Sequence, residues 1–379
     1  MSDADSWERR LANARDRHRR GELDAAAHAY TQLLAERPEA ADALELNAIL
    51  LGQRGEFAAA AALFDRALQS DPRAPRIHSN HGAMLLDAGR PSDAVAAFRR
   101  AIELDPTSAA ARRGLGRALL ASGDASTAIP FLEADAREHP PGTAPWGLLA
   151  SAWFNLGLLR SGARDFDGAL QAFDRALDIE PAALDVLRAK AAALRSSGRV
   201  SSAASVYRQC AELAPADPSS WSDLGHVLHE LGSLDLARDA YRRAVALDPL
   251  ASGAWLGLAE VHRFERGDEL TERLLAAAAR TDVASEVRTP ILFAAAQAHD
   301  TLGQVDESFA CLSSANALRR KTFDYDVARD ERRIAELTQR FTRDLLDRLT
   351  PGASASARPI FIVGMPRSGS TLVEHILAS

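Results

Sequence analysis

The sequence predicts a mostly α-helical chain: a right-handed superhelix of stacked helical hairpins, leading into the first strand, loop and helix of an α/β domain. Two observations carry this expectation. Prolines recur at a spacing of 34 residues at Pro38, Pro72, Pro106 and Pro140 and, after a gap of 41, at Pro181, Pro215 and Pro249. At the other end, an apolar stretch at 360–363 runs through a Gly/Pro/Ser turn into a new helical pattern. The first is the signature of repeated supersecondary units. The second is the order of elements at the start of a phosphate-binding α/β domain.

Each repeat carries further landmarks. Twelve residues before each proline stands alanine: Ala26, Ala60, Ala94, Ala128, Ala169, Ala203 and Ala237. Eight before it stands a large apolar residue: Tyr30, Phe64, Phe98, Leu132, Phe173, Tyr207 and Tyr241. Seventeen before it stands glycine in six cases of seven, at Gly21, Gly55, Gly89, Gly123, Gly198 and Gly232, with Arg164 as the exception. The glycine permits positive φ where a first helix ends and turns. The alanine lets two antiparallel helices approach closely, and the aromatic fills the space between one repeat and the next. Proline biases its predecessor away from α, so the second helix ends before it. Tryptophan opens the first helix at Trp153, Trp221 and Trp255. The seven residues inserted at 140–146 are expected to lengthen one loop between repeats.

These landmarks resemble the tetratricopeptide repeat, seven times over within 1–251. The pattern decays over 252–322, where 289–322 reads as a degenerate repeat with Gly303 at its turn and Ala315 in its second helix. Residues 323–349 are charged and helical in period, and with the Pro/Gly/Ala/Ser segment 350–358 they read as a connecting helix and linker. The segment 359–379 is the start of the α/β domain.

Composition is that of an ordinary globular protein: 47% hydrophobic and 26% charged residues. A formal net charge of −7 does not suggest a nucleic-acid binder. Two distant cysteines, Cys210 and Cys311, imply neither a metal site nor a disulfide framework. The N-terminus is polar and acidic, unlike a signal peptide. No apolar stretch is long enough to span a bilayer. These features make the cytoplasm the default location, with no membrane or metal partner.

The resemblance places ligands on the concave face formed by the first helices, and implies a peptide or protein partner there. Arg113, Arg117, Arg188 and Arg195 fall at inner-face positions. Asn80 and Asn155 fall where relatives use asparagine to hold a peptide backbone, since an amide donates and accepts at once. Arginines beside them favour acidic side chains. The alternative leaves all six as solvated groove wall. His78, His81, His226 and His229 read as surface or packing histidines, having no partners at metal-ligand spacing.

The terminal loop, 364–371, has the outline GxxxxG followed by two more residues. Ser370 stands where a nucleotide-binding P-loop carries lysine, which disfavours an ATPase or GTPase. Glycines at 364 and 369 let backbone N–H groups approach an anion. Ser368, Ser370 and Thr371 supply hydroxyls, and Arg367 supplies the cation. The segment resembles the 5′-phosphosulfate loop of sulfotransferases, above all bacterial proteins joining tetratricopeptide repeats to such a domain and protein-tyrosine sulfotransferases. The family form is Arg-Ser-Gly-Thr-Thr; here Ser370 replaces the first threonine and keeps the hydroxyl.

That resemblance implies transfer of a sulfuryl group from 3′-phosphoadenylyl sulfate to a hydroxyl, protein tyrosine among the candidates. Arg367, Ser368, Gly369, Ser370 and Thr371 would hold the donor, with Arg367 also catalytic. Glu374 and His375 are expected to be structural. The family's acid or base and its 3′-phosphate site lie beyond such a loop, so this stretch alone is expected to be inactive. A non-enzymatic binding scaffold is the rival reading.

Overall fold

The computed structural model describes residues 3–324, 326–340 and 342–349. The linker 350–358, the strand expected at 360–363 and the loop 364–371 lie outside the described residues. The chain divides into two units, Met1–Ala315 and the residues from Asn316 onward.

The first unit opens with hairpins in series. They are α1 (Asp3–Arg19) with α2 (Leu23–Glu36), α3 (Ala41–Gln53) with α4 (Phe57–Ser70), and α5 (Pro75–Asp87) with α6 (Pro91–Leu104). Then come α7 (Ala109–Ala121) with α8 (Ala125–Arg137), and α9 (Ala144–Gly162) with α10 (Phe166–Ile179). Next are α11 (Leu184–Ser196) with α12 (Val200–Leu213), and α13 (Pro218–Glu230) with α14 (Leu234–Leu247). Four more helices follow: α15 (Ser252–Val261), α16 (Glu269–Ala279), α17 (Ser285–Thr301) and α18 (Val305–Arg320). Each helix of α1–α14 packs on its successor, and first helices also pack on one another, α3 on α5, α5 on α7 and α13 on α15. The array is an α-solenoid.

Local chemistry sets the helix ends. Ser108, Asp124, Asp165 and Asp217 cap α7, α8, α10 and α13 by accepting backbone N–H bonds. After α5, the Gly89 N–H donates to Leu86 and the Arg90 N–H to Leu85, closing the helix through a left-handed residue. The landmark glycines hold φ between 71° and 88°. Arg164, at the position without glycine, holds φ 64°. The turn geometry is kept although the residue suited to it is missing, which is costly for a side chain with a Cβ.

The interior is built from the landmark pairs. Ala26, Ala60, Ala94, Ala128, Ala169, Ala203 and Ala237 are fully buried. Tyr241 and Phe98 are each wedged between their own first helix and the next. A Cβ on Gly225 of α13 would lie 2.5 Å from the Tyr241 ring, and one on Gly257 of α15 would lie 2.3 Å from it. Phe98 sits in the same way between Gly82 and Gly114.

The insertion at 140–146 does not simply lengthen a loop. It extends a helix: α9 runs 19 residues where α7 runs 13. Pro145 stands in the first turn, where its fixed φ suits a helix and its missing N–H costs nothing. The extension orphans a tryptophan. Trp221 and Trp255 each donate Nε1–H to the carbonyl six residues back, at Pro215 and Pro249 (3.0 and 2.9 Å). The equivalent residue for Trp153 is Gly147, which lies inside α9, and the buried Trp153 Nε1 has no hydrogen-bond partner.

Beyond α15 the regular pairing lapses, because α17 receives both α15 and α16. Gly303 turns α17 into α18 with φ 73°, and Ala315 is buried. In the second unit, 323–349 holds two helices, α19 (Val327–Arg340) and α20 (Arg343–Leu349).

Candidate functional site

The inner row of first helices carries every groove residue singled out from the sequence. Asn80 lies on α5, Arg113 and Arg117 on α7, Asn155 on α9, and Arg188 and Arg195 on α11. They are not brought to one point, and they differ in how free they are.

Asn80 donates from Nδ2 to Glu45 Oε1 at 2.6 Å. Glu45 is 0% exposed, and its other oxygen pairs with the half-exposed Arg76. The amide is thus committed to holding a buried carboxylate of the preceding repeat. Arg188 pairs with Asp217 and donates to Ser220 Oγ at 2.9 Å, so it ties α11 to the cap of α13. Arg113 approaches the 7%-exposed Asp135 at 3.5 Å, and Arg195 approaches Glu230 at 3.8 Å. Arg117 and Asn155 are exposed and make no hydrogen bond or ion pair with another described residue. These two offer the most to a ligand.

Arg117 opens onto a cavity of about 320 Å³ between α5 and α7, which Asn80, Asp87, Arg113 and Gly114 also line. A second cavity, about 290 Å³, lies between α13 and α15. Its lining includes His226, His229, Glu230, Tyr241, Gly257 and Glu260. His226 Nδ1 is 2.7 Å from the Tyr241 hydroxyl, and His229 Nδ1 is 3.4 Å from Glu260. Burial holds the His226 imidazole below its usual range and, with the nearby Glu260 charge, lifts the Tyr241 phenol above its own. Among the described residues no group of three potential metal ligands comes together, and no helix is long and apolar enough to cross a membrane.

Sequence reasoning missed this second cavity. It rests on Gly257 standing in the slot that holds Asn80 and Asn155 in other repeats, and a glycine there is easily read as ordinary helix.

Two carboxylates in the groove wall carry a burial cost. Glu45 titrates above the ordinary carboxylate range, chiefly through burial, with Asn80 and Arg76 pulling the other way. Burial raises Asp223 likewise, against the opposing charges of Arg188 and Arg195. A carboxyl group whose folded pKa is raised lends stability that is complete below its unfolded value, here 4.5 for Glu45, and lost as pH rises through the folded value. Glu45→Gln should therefore gain on the parent protein as pH rises through this window. Urea denaturation of both at pH 4 and pH 7 checks this, and a stability difference independent of pH would refute it.

This fold and its groove define a helical-repeat protein of the solenoid class. The repeats are tetratricopeptide repeats: models of that description match residues 11–75, 85–152, 150–183 and 218–261. A model described as sulfotransferase family matches residues 359–379. An uncharacterized protein of Aquifex aeolicus is 30% identical over 194 residues, 51% of this chain and 25% of that one. The heat shock protein STI1 of Saccharomyces cerevisiae is 30% identical over 105 residues, 27% of this chain and 18% of that one. The matches thus span a quarter or less of these curated relatives.

Among solved structures, the C-terminal part of a repeat-containing protein from Cytophaga hutchinsonii is similar, with a TM-score of 0.49 at 16% identity. The similarity covers 65% of this chain and 99% of that one. An O-GlcNAc transferase mutant of Thermobaculum terrenum is 28% identical with a TM-score of 0.34, covering 37% of this chain and 28% of that one.

Proposed function

We propose that the chain is the repeat-bearing part of a sulfotransferase, which moves a sulfuryl group from 3′-phosphoadenylyl sulfate to an acceptor hydroxyl. The observation that carries this reading is the sulfotransferase-family match over residues 359–379, the stretch that spells Arg367-Ser-Gly-Ser-Thr. In the transfer, the acceptor oxygen forms a bond to sulfur, the bond from sulfur to the donor's bridging oxygen breaks, and the acceptor proton leaves. Negative charge grows on the bridging oxygen. The side chains the sequence supplies against it are the Arg367 cation and the hydroxyls of Ser368, Ser370 and Thr371. Backbone N–H groups, freed for close approach by Gly364 and Gly369, would complete the anion site.

In this reading the repeats recruit the acceptor. Tetratricopeptide repeats are protein-binding units, and Arg117 and Asn155 are the groove residues left unpaired among those described. Protein tyrosine is the acceptor most in keeping with a peptide groove.

The test uses the protein encoded by the whole reading frame that contains this sequence. It should bind 3′-phosphoadenylyl sulfate saturably, in competition with adenosine 3′,5′-bisphosphate, as read by calorimetry. Absence of donor binding would sink the enzymatic reading and leave a repeat protein whose partner contacts are its whole function.

A further inference from the structure

The two groove cavities are one site built twice. Every lining position of the second lies 143 residues after its counterpart in the first: Phe98 and Tyr241, Gly114 and Gly257, Asp87 and Glu230, Arg117 and Glu260. The device is a glycine. At this slot the other repeats carry Leu46, Asn80, Asn155, Ala189 and Asp223, each with a side chain where Gly114 and Gly257 have none. Where the slot holds glycine, the ring moves into the vacated space: a Cβ would lie 2.2 Å from Phe98 at Gly114 and 2.3 Å from Tyr241 at Gly257. The groove floor opens there, over an aromatic ring.

What differs between the copies is charge. Three residues along the same helix face from the glycine, Arg117 stands in the first copy and Glu260 in the second. Arg113 adds a second cation to the first, against Asp87 in the lining and Asp135 at 3.5 Å. Glu230 adds a second carboxylate to the second, which no arginine or lysine lines, although Arg195 reaches Glu230 at 3.8 Å and His229 reaches Glu260 at 3.4 Å. Arg117 and Glu260 are both exposed, and complementary charges placed at an interface fix register and exclude wrong partners.

From this we infer that the groove binds an extended polypeptide in one direction, with an acidic side chain in the cavity over Gly114 and a basic one in the cavity over Gly257. Four first-helix steps separate the cavities, roughly 32–40 Å at usual helix-packing distances. That span corresponds to about 10–12 extended residues. The inference rests on the groove as a polypeptide-binding face and not on sulfuryl transfer.

The experiment uses two fluorescein-labelled 16-residue peptides of Gly, Ser and Ala, one with Asp-Glu near its N-terminus and Lys-Arg near its C-terminus, the other with these pairs exchanged. Fluorescence polarisation with the full chain, without sulfate donor, should show one peptide binding about tenfold more tightly than the other. Arg117→Glu and Glu260→Arg should each weaken the preferred peptide about tenfold, and the double variant should reverse the preference. Far-UV circular dichroism checks that these surface variants remain folded. Equal affinity for both peptides, no binding of either, or an unreversed preference in the double variant overturns the inference. Loss of donor binding elsewhere in the protein would leave these results unchanged.

Discussion

Phe98→Ala will lower the stability of the repeat array by about 3–5 kcal/mol, the usual cost of emptying an aromatic from a tight core. The ring is 2% exposed and is held from both sides, by Gly82 of its own first helix and Gly114 of the next. Neither neighbour can refill the space, because glycine has no side chain to extend. Collapse would require α5 and α7 to shift together, and both also pack on α6. In a linear array each repeat is stabilised through its neighbours, so the damage falls on the interface between the α5–α6 and α7–α8 hairpins. Urea denaturation should show a lowered midpoint and a transition that splits into two. Phe98→Leu should cost much less, since Leu132 occupies the equivalent place in the following repeat and is fully buried. A loss below about 1 kcal/mol for the alanine variant would mean that the helices close over the void and that the aromatic is not the wedge between repeats.

The wedge was legible in the sequence because its requirements repeat: an aromatic, an alanine and a turn glycine at fixed offsets. Register proved stronger than residue type at Arg164, whose left-handed conformation follows from its place in the repeat, with no glycine to announce it. The insertion at 140–146 was expected to lengthen one loop between repeats, and it chiefly lengthens α9 instead, to 19 residues against 13 in α7. Proline breaks a helix interior but opens a helix readily, and Pro145 does the latter. The groove was half legible. Inner-face residues follow from helical periodicity, but their partners come from other helices: for Arg113 the second helix of its own hairpin, for Arg188 and Asn80 a neighbouring repeat. Asp135 for Arg113, Asp217 for Arg188 and Glu45 for Asn80 lie 22–35 positions away in the chain. Such pairs are set by stacking geometry and leave no local signal. The glycine slot under Tyr241 was visible as a residue, but its consequence depended on the ring opposite it.

The second large effect is expected at Arg367. In the protein encoded by the whole reading frame, Arg367→Ala should cut donor-dependent transfer by about 10²–10³, or ~2.7–4 kcal/mol, on the scale of a lost oxyanion-hole donor. Ser370 occupies the position at which nucleotide-binding loops carry their lysine, so the loop 364–371 contains a single cationic side chain, Arg367. Removing it leaves hydroxyl and backbone dipoles against a phosphosulfate, and no full positive charge. The guanidinium is planar and can address two oxygens at once, so Arg367→Lys should recover only part of the loss: a point charge replaces a fork. The split of the effect is diagnostic. Charge accumulates on the donor's bridging oxygen during transfer, so kcat should fall more than donor affinity. Ser370→Thr, which restores the commoner form of the loop and keeps the hydroxyl, should leave both within a few-fold. If Arg367→Ala binds and transfers like the parent, the cation for the phosphosulfate comes from elsewhere, and the role assigned to this loop is wrong.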